Sequence, residues 1–313
     1  MPSTTRHPSR NPPRVALAPE GAPEWLQTSI IEGGGHLVPL DKAEALIWAN
    51  PRDPAGLADA LHDAPELRWV QLPFAGVEEY VHLIDDERLW TCGKGVYAEP
   101  VAELALTLAV SGLRGLGTYA RAAKWEAPQG RNLLGGRVTI LGGGGITESL
   151  LRLLQPFDCH VTVVRNRVQP MDGADDVLEA DRYYDALPGA DAVFLALALT
   201  PETIGIISAD ELSLMERHAW LINVARGAHV VTDDLVVALR SGTIGGAGLD
   251  VTEPEPLPAG HPLFGLPNCF VTPHVGNTPE MAKPLLAARI TANVRRFAEG
   301  EELIGPVEPE LGY

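Results

Sequence analysis

Short apolar runs recur along the chain and alternate with stretches of helical spacing. Residues 14–18 (RVALA), 45–49 (ALIWA) and 67–72 (LRWVQL) predict three early strands. Between them, residues 54–64 predict a helix opened by Pro54, whose missing N–H is no loss in a first turn. The later runs are unbroken: 137–141 (RVTIL), 160–164 (HVTVV), 192–199 (AVFLALAL) and 220–224 (WLINV). Continuous rather than alternating runs mark strands buried on both faces, as in a parallel sheet covered by helices. Residues 100–113 predict a long helix, with Val101, Leu104, Ala105 and Leu108 at helical spacing, and residues 279–299 predict a last one. The pattern is that of an α/β chain with doubly wound parallel sheets.

A length of 313 residues suits two domains of moderate size. The formal net charge of −17, with four lysines against twenty arginines, argues against nucleic acid or an anionic membrane as a partner. Cys92, Cys159 and Cys269 are odd in number and widely spaced, which fits a reduced cytoplasmic setting without a disulfide framework or metal site. Residues 1–13, rich in proline and arginine, predict a flexible tail rather than a signal peptide. No apolar run approaches the ~20 residues needed to cross a bilayer.

The run 137–141 leads into Gly142, Gly143, Gly144, Gly145, Ile146 and Thr147, and residues 148–154 predict a helix. Glycines at such a turn let backbone approach a pyrophosphate, which then sits on the positive helix N-terminus. Gly142 and Gly144 fit the pattern G-x-G-x-x-G; Thr147 stands where its third glycine belongs, a position that serves helix–strand packing.

Three later blocks decide the chemistry. Asn223-Val224-Ala225-Arg226-Gly227 ends an apolar strand, Gly248-Leu249-Asp250-Val251-Thr252-Glu253-Pro254-Glu255-Pro256 follows, and then Thr272-Pro273-His274-Val275-Gly276. In this order they resemble the D-isomer-specific 2-hydroxyacid dehydrogenase family. Supporting blocks run from Leu72 to Val77, Val101 to Glu103 and Leu199 to Thr203. The resemblance implies a Rossmann-type cofactor domain over residues 97–280, inserted into a flavodoxin-like substrate domain formed by 14–96 and 281–313, with the active site in the cleft between them.

It further implies catalysis by His274, Glu255 and Arg226, acting on C2 of a small 2-hydroxy or 2-oxo acid. A histidine suits both directions, because its ordinary pKa near 6.5 lets it give or take the hydroxyl proton. Glu255 would favour the imidazolium; Glu253 is its rival, but the family block puts the acid directly before Pro256. Arg226 would hold the substrate carboxylate and polarise the C2 oxygen, with further donors from the backbone of Ala75, Gly76 and Val77. Cofactor contacts are implied for Gly142, Gly144, Gly145, Ile146, Thr147, Leu199, Thr200, Thr203, Val224, Ala225, Asp250, His274 and Gly276. His261 reads as structural. A homodimer through the cofactor domain is also implied, with the helix over 100–113 as candidate contact.

One position departs from the NAD-type pattern. An acid about 20 residues past the glycines normally bonds the ribose 2′-hydroxyl. Here the strand 160–164 runs into Arg165, Asn166 and Arg167, with Arg165 in the acid's place. Guanidinium groups pair with a 2′-phosphate, so NADP is favoured and NAD remains possible. Alternatives are a regulatory, dinucleotide-sensing member, or an oxidoreductase acting on another acid such as formate. Because the sequence ends soon after its last helix, without a regulatory extension, the expected substrates are small: glyoxylate or hydroxypyruvate.

Overall fold

The computed structural model describes residues 11–77 and 79–307. The chain divides into two compact units, Met1–Val96 with Pro279–Tyr313, and Tyr97–Thr278. The first holds five strands, β1 (Arg14–Ala18), β2 (His36–Leu37), β3 (Ala45–Trp48), β4 (Trp69–Gln71) and β5 (Leu89–Thr91). All pair in parallel in the order β2-β1-β3-β4-β5, the flavodoxin-like arrangement. Helix Pro54–Asp63 starts as its sequence predicts, with Pro54 in the first turn and the Asp53 carboxylate accepting from Gly56 N–H at 2.8 Å. Of the expected tail, residues 1–10 lie outside the described residues. Pro13 is already buried and accepts a backbone hydrogen bond from His36, so the anchored chain begins one residue before β1.

The return helix, Pro279–Glu299, packs on this first sheet through Leu286, Ile290 and Val294. A buried polar chain fastens it. Trp69 Nε1 donates to Thr91 Oγ1 (2.8 Å), the Thr91 hydroxyl to Gln71 Oε1 (2.8 Å), and Asn293 Nδ2 to the same Gln71 oxygen (3.0 Å). Asn293 also exchanges two hydrogen bonds with the Ile304 backbone. Polar groups this deep are tolerable because each has a partner.

The second unit carries seven parallel strands: β6 (Arg137–Leu141), β7 (His160–Arg165), β8 (Asp176–Glu179), β9 (Ala192–Leu195), β10 (Trp220–Asn223), β11 (Gly246–Leu249) and β12 (Cys269–Val271). Their order, β12-β11-β10-β9-β6-β7-β8, is that of a Rossmann sheet with one added strand. Separate cores cover its two faces. Leu141, Val193, Leu195 and Leu221 point to one, and Val138, Ile140, Phe194 and Ile222 to the other. Burying such side chains stabilises the unit by about 1.5–3 kcal/mol each.

Several expectations need adjusting. The run 192–199 forms a strand only as far as Leu195; beyond it the Thr203 hydroxyl accepts from Thr200 N–H and donates to the Ala198 carbonyl, folding the segment into a loop. The helix expected from residue 148 begins at Gly145, so the last glycine of the turn is already its first residue. Helix Ala98–Leu113, the candidate contact helix, lays Ala102, Ala105, Leu108, Ala109 and Leu113 in the chain's own core and leaves Glu103 and Thr107 exposed, so it is expected to offer a partner only its other face.

Candidate active site

In a parallel sheet all strands end on the same edge, and ligands of such folds bind there. At that edge of the second unit stand the glycine turn after β6, Arg165 closing β7, Leu199–Thr203 beyond β9, Val224, Ala225 and Arg226 after β10, Asp250 after β11 and His274 after β12. These residues stand along one rim.

The glycine turn is tightly built. Gly142 has φ +115°, and a β-carbon there would lie 2.2 Å from the Ala196 carbonyl oxygen, so no larger residue fits. Thr147 is fully buried, and its hydroxyl donates to the Gly142 carbonyl at 2.9 Å. Where a glycine would only allow packing, this threonine packs and also ties the turn. The helix Gly145–Leu154 leaves its first-turn N–H groups without intrahelical partners, as an anion site requires. Among the described residues the Arg165 side chain makes no hydrogen bond or ion pair, and Asn166 and Arg167 are exposed. A backbone cradle, a helix N-terminus and an uncommitted guanidinium fit a phosphate-bearing dinucleotide.

The opposite end of the rim is held by hydrogen bonds. Asp250 is 3% exposed; its carboxylate accepts from Thr272 Oγ1 (2.5 Å), Val275 N–H (2.8 Å) and Gly276 N–H (2.8 Å). Its carbonyl accepts from His274 N–H at 2.8 Å. These bonds hold His274 at φ +54°, a conformation that costs a side-chain-bearing residue free energy and persists only where neighbours impose it. Asp250, expected at the cofactor, thus spends both carboxylate oxygens on the histidine loop.

His274 Nδ1 lies 2.7 Å from Glu255 Oε1. An ionised carboxylate only accepts, so Nδ1 carries the shared proton and Nε2 is left for a reactant. Glu253, the rival, accepts from the Thr232 hydroxyl through its backbone carbonyl at 2.7 Å. At Gly227 a β-carbon would lie 2.0 Å from the Thr252 carbonyl carbon and oxygen. Glycine there lets the segment that carries Glu255 close against the strand end that carries Arg226. Asn223 joins the strands: its Nδ2 donates to the Arg226 carbonyl (2.9 Å) and its own carbonyl accepts from Asp250 N–H (2.9 Å). Arg226 Nη1 donates to the Ala225 carbonyl at 2.9 Å. His261 caps a short helix through Nδ1, in keeping with a structural role.

Sequence reasoning missed His229. It is fully buried, with Nδ1 3.0 Å from the Thr203 carbonyl and Nε2 3.3 Å from that of Leu197, so it props the Leu197–Thr203 loop from beneath. Burial, with Arg226 nearby, pushes its imidazole below the ordinary value. Its position three residues past Arg226 was the available signal, and nothing in the local pattern separates it from the other eight histidines.

In the first unit, Ala75, Gly76 and Val77 follow β4. The Phe74 and Ala75 carbonyls accept from Gly93 N–H (2.6 Å) and the Cys92 thiol (3.6 Å). Among the described residues, the N–H groups of Ala75, Gly76 and Val77 donate to no atom of the chain.

With this geometry in place, comparison with known proteins is decisive. Residues 104–276 match the family described as D-isomer specific 2-hydroxyacid dehydrogenase, NAD binding domain. The chain is 36% identical over 296 residues to a Corynebacterium melassecola protein named only as an uncharacterized protein in the proB 3′ region; the match covers 91% of this chain and 96% of that one. It is 30% identical over 285 residues to glyoxylate/hydroxypyruvate reductase A of Serratia proteamaculans (strain 568), covering 86% and 87%. A solved D-isomer specific 2-hydroxyacid dehydrogenase from Xanthobacter autotrophicus Py2, in complex with NADPH and MES, superposes with a TM-score of 0.83 at 26% identity, covering 96% of this chain and 100% of that one. The chain belongs to the D-isomer specific 2-hydroxyacid dehydrogenase family and is an NAD(P)-dependent oxidoreductase. Among the described residues no helix is long and apolar enough to cross a membrane.

Proposed function

We propose that the protein reduces small 2-oxo acids of the glyoxylate and hydroxypyruvate type, with NADPH as the favoured cofactor and NADH as a possible one. The observation that carries this reading is the 2.7 Å His274–Glu255 pair on the same sheet edge as the glycine turn. The unit Tyr97–Thr278 takes the role of cofactor domain, and the other unit that of substrate domain. The similarity to a glyoxylate/hydroxypyruvate reductase supports the substrate class, and the NADPH-bound relative supports the cofactor. Turnover is favoured over a purely dinucleotide-sensing role for the same reasons.

When bound, the nicotinamide supplies a hydride to C2 of the acid. His274 Nε2 gives its proton to the C2 oxygen, so the carbonyl becomes a hydroxyl and a proton from solvent restores the imidazolium. Glu255 holds Nδ1–H and with it the ring's orientation. Arg226 polarises the C2 oxygen and, with the N–H groups of Ala75, Gly76 and Val77, binds the carboxylate. Gly142, Gly144, Gly145, Ile146 and Thr147 receive the pyrophosphate; Arg165, seconded by Asn166 and Arg167, receives the 2′-phosphate. Leu199, Thr200, Thr203, Val224, Ala225 and Gly276 line the rest of the cofactor. A spectrophotometric screen of 2-oxo acids with each reduced cofactor tests the proposal: oxidation with glyoxylate or hydroxypyruvate supports it, and none with any 2-oxo acid overturns it. A homodimer and a cytoplasmic setting belong to the same reading. They are supported by family membership and by three cysteines that are all free thiols; a monomer by light scattering at micromolar concentration would remove the dimer.

A further inference from the structure

Next to Gly142 is a second glycine whose reason for being there is different. Gly143 occupies the open position of the G-x-G pattern, and its φ is not in the left-handed region, so its backbone would accept an ordinary residue. What it lacks is room. A β-carbon there would lie 2.7 Å from Nε, 2.8 Å from Cδ and 3.0 Å from Cβ of Arg165. The arginine therefore runs across the bare face of Gly143 along most of its length. A methyl group at 143 would be relieved of Nε and Cδ only by swinging the side chain away, while Cβ, held by the β7 backbone, would have to give by a few tenths of an ångström. Among the described residues no hydrogen bond or ion pair holds the Arg165 guanidinium at the turn.

We propose that Gly143 is a specificity-determining residue. By leaving space for Arg165 to lie over the phosphate-binding turn, it lets the guanidinium meet a ribose 2′-phosphate, and cofactor choice is a property of the Gly143–Arg165 pair. This inference rests on the reading of Arg165 as the 2′-phosphate contact.

The test is kcat/KM with NADPH and with NADH for the wild type, Gly143→Ala, Arg165→Ala and the double variant, each checked for folding by circular dichroism. The wild type should prefer NADPH, and Arg165→Ala should erase the preference. Gly143→Ala alone should lower the NADPH-to-NADH ratio about tenfold, the scale of one charge-assisted hydrogen bond, chiefly through KM for NADPH. Added to Arg165→Ala, it should leave the ratio where it is. If Gly143→Ala keeps the wild-type ratio while Arg165→Ala erases it, the inference falls and the Arg165 reading stands. Equal loss with both cofactors in Gly143→Ala and in the double variant also overturns it, by making Gly143 a pyrophosphate residue alone. A wild type without preference, or one that Arg165→Ala leaves unchanged, removes the Arg165 reading and the inference with it.

Discussion

The two ends of the second sheet's ligand edge are built by opposite means. Around His274, polar groups are spoken for: Asp250 holds Thr272, Val275 and Gly276, the histidine N–H is bound, and its ring rests on Glu255. Among the described residues the Arg165 side chain makes no such bond, and it is guided by the absence of a β-carbon at Gly143. Chemistry needs a proton donor placed to within a fraction of an ångström, and internal hydrogen bonds supply that precision. Cofactor choice needs only a charge within reach of a phosphate. The first end should thus be intolerant of substitution, and the second open to retuning.

The comparison breaks first at His274. His274→Ala should lower kcat by about 10²–10⁴-fold, the usual contribution of a positioned acid. NADPH affinity, followed by fluorescence, should be largely kept; near-normal turnover would take the histidine out of the mechanism. Asp250→Asn is subtler, because it keeps the shape but turns an amide N–H against one of the N–H donors. A fall in kcat of about 10²-fold would match a histidine displaced by an ångström. An unchanged kcat would show that the loop holds itself. At the other end, Arg165→Asp should shift the kcat/KM ratio toward NADH by about tenfold or more, and an unmoved ratio would show a cofactor site indifferent to that charge.

The smallest effect lies beneath the rim. Burial lowers the His229 imidazole below its ordinary value in the folded chain, so as pH falls below about 6.5 the unfolded chain takes up a proton there first. Its share of stability is present above that pH and lost below it. Urea midpoints should therefore drop more between pH 7.5 and 5.5 for the wild type than for His229→Gln. Equal drops would show that other groups set the acid limb.

Much of this fold is written as apolar runs: residues 137–141 and 220–224 fall within one residue of β6 and β10, because strands buried on both faces leave no polar interruption. β11 (Gly246–Leu249) escaped notice because Gly-Ala-Gly-Leu has one large apolar side chain, although all four residues are buried. β8 escaped for the opposite reason, as an edge strand with an acid at each end. At the site, the blocks around Arg226, Glu255 and His274 were legible because their chemistry is carried by residue type. The positive φ of His274, the clamp by Asp250 and the contact of Arg165 with Gly143 were not. They depend on which strand ends become neighbours, and sequence order does not state that.

The fastening of the return helix also dictates an order of events at the ribosome. Gln71 and Asn293 are separated by 222 residues, yet each is buried on the strength of the other. Everything between residues 97 and 278 has been made before Asn293 exists, so the inserted unit has all its strands while the first sheet still lacks the helix that covers it. The domain begun first is the one completed last.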